Sequence, residues 1–312
     1  MENHRGNHPG TCLIVGCGYV GTRLARPMMG RGSVLALVRR AAAAADLIRQ
    51  VIPALTADFD QEAGLEPMNL PVDLEAVVYL APPSGLGTEE LRLARCLQAM
   101  PAARPEVLLY LSTTGVYGDT GGAAVDEDSP LAPREDRSRQ RLDAERRVAQ
   151  WCAERGVRCV VFRVPAIYGP QRLPLDRLER GEPVLCAEAS GPGNRIHVED
   201  LVDACGVALE RPVSGVFNLT DGNPESMAAF TARVANLAGL PPPRQVSWAE
   251  AQTVMSPGIL AFLRESRRIT SRRAQELGWT PRYGNPGDGI RASLMEMGWG
   301  IVSSDGLSSE AR

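Results

Sequence analysis

The chain has 312 residues, 44% of them hydrophobic and 23% charged, with a net charge of −3. That length holds one large domain or two smaller ones with a full core. The slightly negative balance excludes the positive excess expected of nucleic-acid or anionic-membrane binders. All 34 basic residues are arginine, so no lysine ammonium is available for any role.

Residues 1–10 (MENHRGNHPG) are polar, lack the apolar core of a secretory signal and read as a disordered leader. Thr11–Val15 (TCLIV) predicts a strand, followed by a helix from about Val20 that Pro27 should kink or shorten. Val34–Val38 (VLALV) and Ala54–Ala57 predict a second and a weaker third strand, and Ala76–Ala81 (AVVYLA) a fourth. A helix over about 88–99 leads to a fifth strand at Val107–Ser112, and a helix over about Ser138–Arg155 to a sixth at Val157–Val164. Short apolar runs alternating with helices predict an α/β fold, a doubly wound parallel sheet covered on both faces.

After Pro165 proline and glycine become frequent and the alternation loosens. The expected organisation is a dinucleotide-binding domain over 11–165 and a smaller, interwoven C-terminal substrate lobe over 166–302. The strand near 216–219 should return to the main sheet, and 303–312 should form a flexible tail. Seven cysteines without CxxC spacing fit a reducing cytoplasm and point to no metal site. No apolar run approaches the roughly 18 residues that span a bilayer. The expected partner is therefore a small molecule, with neither nucleic acid nor membrane.

The best-supported motif is GCGYVG, with Gly16, Gly18 and Gly21, directly after the first strand and opening a helix. Gly16 would permit the tight turn and Gly18 the approach of a pyrophosphate to the backbone, with Tyr19 and Val20 starting the helix beside it. Gly21 would allow close helix–strand packing. The second strand ends in Val38, where an acid would select NAD, and continues with Arg39 and Arg40. Two arginines suit a 2′-phosphate, so NADP is favoured over NAD. Asp58, after the third strand, is a candidate partner for the adenine amine.

These residues, together with YLAPP (79–83), LSTTGVYGD (111–119), RVPAIYGP (163–170), RIHVED (195–200) and VFNL (216–219), resemble the extended short-chain dehydrogenases/reductases, the NAD-dependent epimerase/dehydratase family. The resemblance covers roughly 11–300. It implies a Rossmann-type domain with a C-terminal substrate lobe, oxidoreductase or epimerase chemistry and often a nucleotide-sugar substrate. By resemblance Leu80, Ala81 and Pro82 would line the cofactor and Pro165 would lie near the nicotinamide. Thr113 would bind the reacting oxygen with Thr114 beside it. The helices near 88–99 and 138–155 would be the contact of a candidate homodimer.

The family's central device, a tyrosine and a lysine four residues apart, is absent. No tyrosine occurs between 118 and 167. With Glu145 placed on the family's helix glutamate, Arg141 stands at the lysine position and Arg137 at the tyrosine position. This matches the atypical, tyrosine-less branch of the family. Arg141 can hydrogen-bond the nicotinamide ribose, but Arg137 cannot exchange protons, because guanidinium stays charged below about pH 12. The two lie one helical turn apart and can form an anion clamp, with Arg134 as a third member. A solvated helix start remains the alternative, although positive charge there opposes the helix dipole unless an anion is present.

Other positions depart as well. Ala166 replaces a diphosphate-binding asparagine of some epimerases, and Arg195 lies only two residues before His197. Tyr117 and Tyr168 are the remaining phenols near the site and alternative proton donors. The expected function is an NAD(P)-dependent oxidoreductase or epimerase acting on a small polar, anionic or nucleotide-sugar-like substrate. In it Thr113, Arg137, Arg141 and Tyr117 carry the chemistry, and Thr114, Arg134 and Arg195 hold substrate. The alternative is a catalytically silent NAD(P)-binding regulator or scaffold.

Overall fold

The computed structural model describes residues 10–61 and 67–300. The predicted leader, apart from Gly10, and the tail lie outside the described residues.

The centre is a seven-stranded, wholly parallel sheet. Its strands are β1 (Thr11–Val15), β2 (Ser33–Val38), β3 (Ala54–Thr56), β4 (Leu74–Tyr79) and β5 (Val107–Thr113). After a short β6 (Ala124–Val125) outside the sheet come β7 (Arg158–Val164), β8 (Ala166–Tyr168), β9 (Val184–Leu185), β10 (Arg195–His197) and β11 (Gly215–Asn218), of which β7 and β11 join it. The order is β11-β7-β5-β4-β1-β2-β3. It reverses direction between β1 and β4, the place where parallel α/β sheets open a crevice at their carboxyl ends.

Alternation inside the strands explains the two layers. In β1, Cys12 and Ile14 face one core with α1 (Tyr19–Met29), α2 (Ala41–Arg49) and α6 (Val198–Glu210). Leu13 and Val15 face the other, with α3 (Leu91–Gln98) and α4 (Asp136–Arg155). The same two-residue period divides Val107, Leu109 and Leu111 from Leu108 and Tyr110 in β5. Because both faces are buried, these strands read as continuous apolar runs. Pro27 sits two residues before the end of α1, which stops at Met29.

Downstream of β7 a third core forms around Tyr168, Leu173, Phe230, Val234, Ile290 and Leu294. It joins α5 (Leu175–Glu179), α7 (Met227–Ala238) and the C-terminal helix Pro286–Glu296. β8 pairs with β10 in a small parallel sheet, which sets the segment after β8 beside the mouth of the main sheet.

Candidate active site

A cleft of about 1220 Å³ opens at the carboxyl ends of β1, β4 and β5. The glycine turn forms its floor, and the three glycines do separate jobs. Gly16 has φ +84°, and a Cβ there would collide with the backbone of Ala81. Gly21 packs against Ile14, Cys17 and Leu80, where a Cβ would come within 3.1–3.3 Å. At Gly18 a Cβ would meet nothing within 4 Å, so this glycine keeps space open on the cleft side. The helix α1 that begins here has no capping side chain and no acid in its first turn. Its first N–H groups therefore point at the opening without a side-chain partner, the arrangement that binds a phosphate anion. The residues present fit the diphosphate of a dinucleotide.

The sheet delivers the remaining groups. Leu80, Pro82, Thr113, Thr114, Pro165 and Arg195 line the cleft together with Tyr19 and Val20. Thr113 closes β5, and its Oγ1 accepts the Gly115 N–H at 3.2 Å, leaving the hydroxyl proton free to donate. Ala81 instead packs over Gly16, and its carbonyl accepts from Arg141 at 3.5 Å.

Arg141 and Arg137, on α4, both line the cleft. Nη1 of Arg141 donates to the carbonyl of Leu111 at 2.8 Å and to the hydroxyl of Tyr110 at 3.1 Å. One edge of this half-buried guanidinium is thus anchored to the end of β5. Arg137 is exposed and has no hydrogen bond or ion pair among the described residues. The neighbouring Arg139 pairs with Asp136 at 2.8 Å, which satisfies the acid of the first turn.

The cleft holds seven arginines of two kinds. Arg177 and Arg180 are paired with Glu182, and Arg267 with Glu265. Arg137, Arg141, Arg172 and Arg195 have no carboxylate within ion-pair distance among the described residues. Arg195 is buried, its Nη1 donating to the Glu225 carbonyl at 2.8 Å and its guanidinium 4.3 Å from the Phe230 ring. Burial lowers its pKa and outweighs the opposing pull of nearby Asp221 and Glu225, neither of which forms an ion pair with it.

Four sequence-based assignments meet a different placement. Tyr117 does not line the cleft. Its hydroxyl donates to Asn218 Oδ1 at 2.8 Å and accepts from Arg163 Nη1 at 3.0 Å, inside a buried network. There Arg163 also grips Glu145 at 2.8 Å, and Ser112 donates to the same carboxylate. Burial raises the Tyr117 pKa, so the phenol is held as a neutral donor. Arg134 is exposed outside the cleft and pairs with Asp119 at 3.3 Å. Asp58 turns inward on its own loop, accepting from the Asp60 N–H at 3.0 Å. Arg39 pairs with Asp60 at 2.7 Å, so of the two strand-end arginines it is Arg40 that has no ion pair among the described residues.

The other phenol, Tyr168, borders the cleft, but burial raises its pKa far above the ordinary value. Its hydroxyl abuts Gly289 and has no hydrogen-bond partner among the described residues. His197 is buried and neutral: Nδ1 accepts the Glu199 N–H at 3.2 Å, Nε2 meets Ser293 Oγ at 3.1 Å, and burial lowers its pKa to about 4. Glu135, Ser138 and Arg172 line the cleft without having been singled out in the sequence. No spacing signal marks Arg172, because a turn of unusual geometry presents it.

The NAD dependent epimerase/dehydratase family model matches residues 12–220, from β1 through β11. The chain belongs to the NAD-dependent epimerase/dehydratase family. It is 29% identical to a 3-diazoavenalumate denitrifying reductase of a Streptomyces species over 304 residues, which cover 89% of this chain and 98% of that one. A functionally unknown conserved protein from Silicibacter pomeroyi, also 29% identical, superposes with TM-score 0.75 over 92% of this chain and 99% of that one. The UDP-glucose 4-epimerase of Thermotoga maritima, solved with UDP-glucose, is 17% identical. It superposes with TM-score 0.74 over 92% of this chain and 98% of that one, a likeness of fold. Members of the family are epimerases, dehydratases and reductases that use a nicotinamide dinucleotide. No described helix is long and apolar enough to cross a membrane.

Proposed function

We propose that the protein is an NAD(P)-dependent reductase of a small anionic substrate. The observation that carries this reading is the set of four cleft arginines without an acidic partner. Half-buried Arg141 and buried Arg195 are costly without a counter-charge, and a bound anion supplies one; Arg137 and Arg172, exposed beside them, add positive charge to the same cleft. Arg141, with one edge anchored to β5, presents the other to the dinucleotide ribose. Arg137 and Arg195 flank the remaining space and hold the substrate anion.

The reductive reading is inferred from the guanidinium of Arg137, which stands where the resemblance puts a proton-exchanging tyrosine. Oxidation of a hydroxyl requires a base to take its proton, and the guanidinium of Arg137 cannot do so. Reduction makes a different demand. When bound, the dinucleotide supplies a hydride; the electron pair displaced onto the substrate is stabilised by the Thr113 hydroxyl and the Arg137 charge, and solvent water delivers the proton. Arg137 is exposed, so water reaches it. The similarity to a reductase whose named substrate is an anion is consistent with this direction. NADP is the preferred cofactor in this reading, with Arg40 free to meet a 2′-phosphate.

The test is consumption of NADPH with a panel of small carboxylates bearing carbonyl, diazo or conjugated acceptor groups, with nucleotide sugars included. Acceptor-dependent oxidation that falls at least tenfold in Thr113→Ala supports the reductase. Interconversion of nucleotide sugars without net NADPH use would replace it with an epimerase.

A further inference from the structure

Tyr19, the first residue of α1, makes an unusual set of contacts with the segment after β8. Its hydroxyl donates to the Pro170 carbonyl at 2.8 Å. Two guanidinium groups stack on its ring, Arg172 at 4.0 Å and Arg23 at 4.3 Å. These two arginines differ in what else they do. Arg23 is tied to Glu199 at 3.2 Å and Glu296 at 3.1 Å. Arg172 is exposed and, among the described residues, makes no hydrogen bond through its guanidinium and no ion pair.

The turn that presents Arg172 is built with two demanding backbone conformations. Gly169 has φ +154°, and a Cβ there would come within 2.7 Å of both the Tyr19 hydroxyl and Val198. Gln171 has φ +64°, a left-handed conformation uncommon for a residue with a side chain. The Arg172 N–H closes the turn on the Gly169 carbonyl at 3.0 Å. The result sets a guanidinium without an ion pair among the described residues over the ring beside Gly18, in the same cleft as Gly16 and the start of α1.

We propose that Arg172 is a cofactor-positioning residue: it reaches from the C-terminal part of the chain over Tyr19 and binds the diphosphate of the dinucleotide from the side opposite the helix start. The inference rests on the reading that a dinucleotide diphosphate occupies the glycine turn. The cation–π contact with Tyr19 holds the guanidinium in place while its N–H donors stay available, so little ordering is left to be done when the diphosphate arrives. Cofactor binding then also fastens the 169–172 turn, which borders the substrate space, to the sheet.

The test is equilibrium binding to the full chain, followed by tryptophan fluorescence, for wild type, Arg172→Ala and Arg172→Lys. Three probes separate the contacts: NADPH, ADP-ribose, which keeps the diphosphate, and adenosine 2′-monophosphate, which lacks it. Arg172→Ala is expected to weaken NADPH and ADP-ribose each by about tenfold or more, as for loss of a charge-assisted hydrogen bond, and to leave adenosine 2′-monophosphate unchanged. Its NADPH affinity should also depend less on salt, a change that simple loosening of the turn would not produce. Arg172→Lys should recover part of the loss. Wild-type affinities in Arg172→Ala overturn the proposal, and so does equal weakening of all three probes. If wild type binds neither NADPH nor ADP-ribose, the dinucleotide reading itself fails and the role of Arg172 falls with it.

Discussion

The hydroxyl of Tyr117 donates to Oδ1 of Asn218 at 2.8 Å, across the sheet and away from the cleft. The phenol in the VYG segment is therefore part of the scaffold, joining the end of β5 to β11. Tyr117→Phe should leave NADPH turnover within about twofold of wild type and lower stability by about 1–3 kcal/mol, because Asn218 and Arg163 each lose a buried partner. Urea denaturation and steady-state rates on the same samples check this. A large loss of rate at unchanged stability would return Tyr117 to the chemistry.

Glu145 and Arg163 are both buried and joined at 2.8 Å. Removing either charge strands the other, at a cost of about 3–5 kcal/mol. Glu145→Ala is thus expected to lower the unfolding midpoint far more than Arg137→Ala, whose side chain is exposed and, among the described residues, has no ion pair. Equal midpoints for the two variants would show that the network carries no stability.

The glycine turn offers a contrast between fold and binding. Gly16→Ala forces a Cβ into the Ala81 backbone at positive φ and should destabilise the whole domain. Gly18→Ala meets only open space, so the protein should fold with a near-native melting temperature and lose dinucleotide affinity. Calorimetry together with an NADPH titration separates the two; tight binding by Gly18→Ala would show that no diphosphate lies there.

At the end of β2, Arg39 is drawn to Asp60 while Arg92 takes both oxygens of the same carboxylate at 2.7 Å each. Arg40→Ala should therefore reduce the NADPH to NADH affinity ratio by about tenfold, more than Arg39→Ala does. A ratio unchanged in both variants would remove the basis for an NADP preference.

Asp221 is buried near Arg195 and Glu225, its Oδ2 without a hydrogen-bond partner among the described residues, and burial raises its pKa from 3.8 to about 7. The folded state thus holds a proton that the unfolded chain has released, so this residue's contribution to stability falls as pH rises between those values. Asp221→Asn removes the slope. It should gain stability relative to wild type on going from about pH 5 to about pH 8, measured as the difference in urea midpoints. A constant difference across that range would show that Asp221 is ionised in the fold.

The main sheet was legible because a strand buried on both faces has nowhere to place a polar residue. Thr11–Val15 matches to the residue, and Val107–Ser112 misses only Thr113. The alanine run of α2 has neither a capping side chain nor an acid in its first turn to mark its start and is not legible as a helix from the sequence, although Ala44 and Leu47 are buried. The short pairs β8–β10 and β9 with Gln245–Val246 were equally hidden, since two or three residues make no pattern. In the cleft, the family resemblance pointed to Thr113, Arg137, Arg141 and Arg195, all of which line it. It could not show that Tyr117 points into the sheet, nor that Arg172 arrives through a left-handed Gln171, because both depend on tertiary contacts across more than 100 residues.

The central claim is that unpaired arginines in the cleft bind the anionic group of a reducible substrate. Its most direct measurement compares kcat/KM for one acceptor as the free acid and as its methyl ester, in wild type and Arg137→Ala. The expected result is a preference for the acid in wild type that shrinks by about tenfold in the variant, through KM, while the ester reacts alike with both. An acid-to-ester preference that Arg137→Ala leaves untouched, or NADPH binding with no turnover of any acceptor, would contradict the account.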